Sequence, residues 1–130
     1  MMARMSEATI TVYGLRNCDT VKKARLWLEE QHLPYRFHDF KQLGIPGQRI
    51  DYWLAMAPWE KLLNRQGTTW RKLDADTRTA VTDAQSARVL MLANPSVVKR
   101  PVVEWDTTPA PELSIGFEPA SWSARLARMR

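Results

Sequence analysis

The spacing of apolar positions changes several times along this chain of 130 residues. In Thr9-Ile10-Thr11-Val12-Tyr13-Gly14, β-branched and aromatic residues alternate with the two-residue period of a strand. From Thr20 to about Gln31 the period lengthens. Val21, Ala24 and Leu28 fall on one helical face with Lys22, Arg25 and Glu29 elsewhere, which predicts a helix that packs one side on a sheet. His32-Leu33-Pro34 ends it. Tyr35, Phe37 and Asp39 then alternate with Arg36, His38 and Phe40 in a second short strand, and the helix-length crossover makes it a parallel neighbour of the first. These elements form a βαβ unit.

Gly44-Ile45-Pro46-Gly47 is a turn cluster, after which Ile50, Trp53, Leu54 and Ala57 recur at helical spacing up to Pro58. Trp59 to Leu63 predicts another helical turn or two, and Asn64-Arg65-Gln66-Gly67-Thr68 a loop. Asp74 or Asp76 can cap a short helix, and Asp83 a longer one carrying Ala84, Ala87, Leu90 and Met91. Asn94-Pro95 closes the longer helix because a residue before proline is pushed out of helical geometry. Pro101-Val102-Val103-Glu104-Trp105 reads as a strand, Asp106 to Pro111 as a turn, and Glu112 to Ile115 as the returning strand of a hairpin. Ser121 can cap a last helix with Trp122, Leu126 and Met129 inward and Arg125, Arg128 and Arg130 toward its C-terminal end, where cations are favoured. The order predicts an α/β fold: a mixed sheet (βαβ … ββα) with a helical segment, at about residues 41–95, between the second and third strands.

Composition narrows the class. At 130 residues one domain is expected, and 45% hydrophobic residues, 25% charged residues and six Trp are globular values. The first eight residues contain neither an apolar signal-peptide core nor a membrane-length run and read as a loose, cytosolic N-terminus. A net charge of +5 invites a nucleic-acid partner. However, the basic residues are scattered among acids with no zinc-finger or RNP motif, so small anionic substrates account for the charge equally well.

Cys18 is the one cysteine. It falls at the junction of the first strand and first helix, where unpaired amides and the positive helix end favour a thiolate, and Arg16, Lys22 and Lys23 act in the same sense. A lone cysteine also occurs as an unreactive apolar residue. His32 and His38 are not spaced as metal ligands with Cys18, so no metal site is expected.

Three blocks carry a closer resemblance. Gly14-Leu15-Arg16-Asn17-Cys18-Asp19-Thr20-Val21-Lys22-Lys23-Ala24, Arg65-Gln66-Gly67-Thr68-Thr69-Trp70-Arg71-Lys72-Leu73 and Asn94-Pro95-Ser96-Val97-Val98-Lys99-Arg100-Pro101-Val102-Val103 are similar to the arsenate reductase (ArsC) and Spx family, in its YffB-like branch. The resemblance covers roughly Ile10 to Leu126 and implies a thioredoxin-like fold in a single domain over residues 1–130. It implies that Cys18 attacks an oxidised substrate, with Arg100 before the third-strand proline as the second catalytic residue. Arg16, Asn17, Thr20, Arg65, Arg100 and Pro101 would bind substrate. A third family arginine precedes a proline after the hairpin, where this chain has Phe117-Glu118-Pro119. Glu118 reverses that charge and would repel an arsenate dianion.

The implied activity is a cytoplasmic, glutathione-dependent monothiol reductase, with glutathione as co-substrate, an oxidised thiol or oxyanion as substrate, and no tightly bound cofactor. One alternative is an arsenate reductase coupled to glutaredoxin. Another is a non-enzymatic Spx-like regulator binding RNA polymerase, although Cys18-Asp19-Thr20-Val21 lacks the second thiol of a Cys-x-x-Cys switch.

Overall fold

In chain order the elements are β1 (Ile10–Gly14), α1 (Asp19–Glu30), β2 (Arg36–Asp39), α2 (Phe40–Leu43), α3 (Gly47–Met56) and α4 (Trp59–Leu62). They continue with α5 (Thr68–Lys72), α6 (Ala75–Thr79), α7 (Ala84–Ala93), a 3-10 turn at Pro95–Val97, β3 (Val102–Trp105), β4 (Glu112–Ile115) and α8 (Pro119–Met129). This is a computed structural model that describes residues 9–106 and 110–129. The expected loose segment 1–8, the centre of the hairpin turn at 107–109 and Arg130 lie outside the described residues.

Two compact units result, one from Met1–Asp39 with Arg100–Arg130 and one from Phe40–Lys99. The first holds a four-stranded mixed sheet in the order β2-β1-β3-β4. β1 runs parallel to β2 and antiparallel to β3, and β3 pairs antiparallel with β4. Strand parity explains the core. Ile10 and Val12 share a sheet face with Val103 and Trp105, and Ala24, Leu28 and Trp122 join them in one buried cluster. Trp122 meets Trp27, Trp105 and Phe117 edge to face, with centroids 5.6, 5.0 and 4.7 Å away. Burying each such side chain contributes about 1.5–3 kcal/mol. Polar groups tie α8 to the hairpin: Arg125 Nε donates to Glu112 Oε1 at 2.8 Å, and Arg128 Nη2 to the same oxygen at 3.0 Å.

The second unit is helical. Ile50 and Trp53 on α3, Leu62 on α4 and Ala87 and Met91 on α7 are buried, and Arg88 on α7 pairs with Asp51 on α3 at 2.7 Å. Asp74 caps α6 by accepting from the Thr77 amide, while Asp83 and Ser86 form a reciprocal capping box at the start of α7.

Three local expectations change. Phe40 does not extend the second strand but opens α2, burying its ring 6.3 Å from that of Trp53. Thr68, expected in a loop, begins α5, which buries no residue and so leaves no apolar period to read. The last helix starts at Pro119 rather than being capped by Ser121: proline suits a first helical turn, and the Glu118 carbonyl accepts from the Trp122 amide.

Candidate active site

The turn that carries Cys18 is set by a close approach. A Cβ on Gly14 would lie 2.8 Å from Val21 Cγ2, so only glycine lets the buried Val21 in the first turn of α1 rest against the end of β1. The chain then turns within Leu15 to Cys18, closed by the Cys18 amide donating to the Leu15 carbonyl at 3.3 Å. Cys18 is the N-cap of α1, with extended backbone at φ −99° and ψ 125°. Its carbonyl accepts from the Lys22 amide at 2.9 Å, and its side chain caps no amide. Cys18 forms no disulfide and is partly exposed. The amides of Asp19, Thr20 and Val21 precede the first intrahelical bond, so they face outward with the positive end of the twelve-residue helix.

Sheet register brings other segments to the same end. Tyr13 pairs with Val102, which places Pro101 beside the end of β1. Pro101 is buried, follows a cis Arg100-Pro101 bond, and its carbonyl accepts from the Gly116 amide at 2.8 Å. Gly116 takes φ 87°, a left-handed conformation that glycine adopts without a Cβ penalty. The chain leaves β4 there and passes through Phe117 and the exposed Glu118 into α8. Arg100 is half-buried and engaged in the fold, whereas Asn17 and Thr20 are exposed. Arg16, Asn17, Cys18, Thr20, Arg100, Pro101 and Glu118 therefore occupy one end of one sheet. Arg65 belongs to the other unit, where its guanidinium lies 5.5 Å from the Trp59 ring centroid. It lines a cavity of about 240 Å³ with Lys61 and Lys99.

One participant went unnoticed as a site residue. Asp39, at the end of β2 opposite Gly14, is only 6% exposed, and Arg16 Nε lies 3.7 Å from its Oδ2. The same guanidinium is 5.5 Å from the Phe37 ring centroid. Its signal was present in the sequence, since Asp39 shares strand parity with Tyr35 and Phe37, and an acid on a core-facing parity calls for a cationic partner.

The family model described as the ArsC family matches residues 13–125. The chain belongs to the ArsC family. An uncharacterised Haemophilus influenzae protein is 34% identical over 118 residues, covering 91% of this chain and 99% of its own. The global transcriptional regulator Spx of Listeria innocua is 26% identical over 96 residues, 72% of each chain. A solved YffB protein structure superposes with a TM-score of 0.81 at 44% identity, covering 89% of this chain and 97% of that one. The solution structure of an arsenate reductase (ArsC) related protein from Brucella melitensis gives 0.69 at 51% identity, with 93% and 96% covered. This ArsC-family chain is thus YffB-like, and its mixed sheet is thioredoxin-like. Among the described residues, no helix is long and apolar enough to cross a membrane, and no three His, Cys, Asp or Glu side chains gather as a metal site.

Proposed function

We propose that this chain is a cytoplasmic thiol oxidoreductase, a glutathione-dependent monothiol reductase with Cys18 as its nucleophile. The observation that carries this reading is the position of Cys18 at the N-cap of α1, on the sheet end that also bears Arg100 and Pro101. The Cys18 thiolate attacks the glutathione sulfur of a mixed disulfide. A Cys18–glutathione bond forms as the substrate disulfide breaks, and the departing thiolate takes the electron pair and then a proton from water. The thiolate of a second glutathione attacks the glutathione sulfur of this adduct, releasing glutathione disulfide and restoring the Cys18 thiolate. Resolution comes from outside because the chain has one cysteine.

The remaining residues bind and orient. The outward amides of Asp19 and Thr20, with the Thr20 hydroxyl and Asn17 in the same turn, suit a developing negative charge. Arg100 suits a glutathione carboxylate or an oxyanion, and Pro101 beside it forms part of the surface on which substrate lies. Kinship with an arsenate reductase related protein keeps the glutaredoxin-coupled arsenate reductase as an alternative. Glu118 at the same sheet end disfavours it by charge. Kinship with Spx favours a second reading, a regulator that binds RNA polymerase. The test is glutathione-coupled reduction of a peptide–glutathione mixed disulfide by the full chain and by Cys18→Ser. Turnover lost in Cys18→Ser supports the reductase. Equal rates in both proteins, or no turnover above the uncatalysed rate, would remove it.

A further inference from the structure

Arg16 sits two residues before the nucleophile, yet its guanidinium is directed to β2. It contacts the Asp39 carboxylate and the Phe37 ring, which share one face of that strand. β2 flanks β1 on the side opposite β3, whereas Arg100 and Pro101 lead into β3 and Glu118 follows β4. The pair is asymmetric. Asp39's side chain is 7% exposed and Arg16's 58%, so the carboxylate is held within the fold while much of the arginine remains in solvent. Phe37 is also overlain by Arg25, whose charge is 4.1 Å from the ring centroid and whose Nε donates to the Tyr35 hydroxyl at 3.0 Å. The β2 face thus holds two cations, Arg16 and Arg25, over one ring.

We infer that Asp39 determines the anion preference of Cys18 by holding and neutralising Arg16 on the β2 side of the turn. This rests on Cys18 being the nucleophile. Asp39 is a positioning residue: it touches no substrate and acts through Arg16. With the carboxylate in place, an anionic substrate approaching Cys18 meets little net charge from Arg16. Without it, the exposed guanidinium is free to swing toward the thiol.

The test compares alkylation of Cys18 by iodoacetate, which is anionic, and iodoacetamide, which is neutral, at one pH in the full chain. The ratio of the two rates cancels the thiolate fraction and reports local charge alone. In Asp39→Asn the ratio should rise about three- to sevenfold, as expected for a unit charge about 7 Å away at an effective dielectric of about 40–80. Asp39→Glu should restore it, and Arg16→Gln in the Asp39→Asn background should return it close to the native value. Arg16→Gln alone should lower the native ratio, because Coulomb contributions add and the Asp39 charge is then left without this partner. If Asp39→Asn does not fold, an unchanged ratio in Arg16→Gln, which alters an exposed side chain, would overturn the inference on its own. An unchanged ratio in folded Asp39→Asn, or an equal rise in the double variant, would overturn the inference. Alkylation requires no turnover, so failure of the reductase assay leaves this result readable.

Discussion

At the scale of the residue, the site depends on Gly14 as much as on Cys18. An added methyl at Gly14 meets Val21 Cγ2 at 2.8 Å, inside van der Waals contact. Gly14→Ala should cost about 1–3 kcal/mol by overpacking and slow modification of Cys18, because α1 must shift from the strand end. Adding Val21→Ala should recover part of the Cys18 rate, and no recovery would show that Gly14 acts otherwise. Thermal unfolding and alkylation of the single and double variants check both points. Glu118 is the second decisive position. Glu118→Arg should tighten arsenate binding by about fivefold or more, since the charge near the site changes by two units, and isothermal titration measures it. Unchanged affinity would place Glu118 outside the substrate's field. The motifs single out Cys18, Arg100 and Glu118, and the strand order carries all three to one end of the sheet. Asp39 was less legible in the sequence, because strand parity marks it as buried but only the folded register shows which cation it meets.

At the scale of the element, strands and long helices were readable because their apolar residues keep one period. Val12, Val103 and Trp105 mark the sheet, and Val21, Ala24 and Leu28 the inner face of α1. Of the short helices, α4 and α6 were readable from Trp59 to Leu63 and from the Asp74 cap, whereas α2 and α5 were not. α2 buries only Phe40 and α5 buries nothing, so no stripe distinguishes them from loops. Caps were visible as residue types, and their chemistry makes stability depend on pH. The amide of Thr77 holds the Asp74 carboxyl below its ordinary range, the amide of Ser86 does the same for Asp83, and the hydrogen bond from Arg125 does so for Glu112. Each folded value lies below the unfolded one. The stabilisation is therefore fully present above about pH 5, clear of the unfolded values, and is lost as pH falls through the folded ones. Denaturant unfolding should show stability declining below about pH 5. The decline should be shallower in Asp83→Asn/Glu112→Gln, where the asparagine still caps α7 but no longer titrates. An unchanged slope would assign the acid sensitivity to other groups.

At the scale of the whole molecule, the mixed sheet and the helical segment between its second and third strands followed from the order of periods alone. Chemistry did not, because length, charge and one cysteine fit an oxidoreductase, an anion-binding protein or an inert domain equally well. The three motif blocks supplied that link, and the family match over residues 13–125 agrees with them. Separation in sequence hid the rest of the candidate site: Cys18, Asp39, Arg100 and Glu118 lie at the same end of the sheet only after β1 pairs on both sides and β3 turns back through β4. The most direct measurement is the intact mass of the full chain after exposure to oxidised glutathione and then to reduced glutathione. A reductase gains one glutathione at Cys18, loses it on addition of reduced glutathione, and gains none in Cys18→Ser. No adduct on the native chain, or one that persists in Cys18→Ser, would contradict a nucleophilic Cys18.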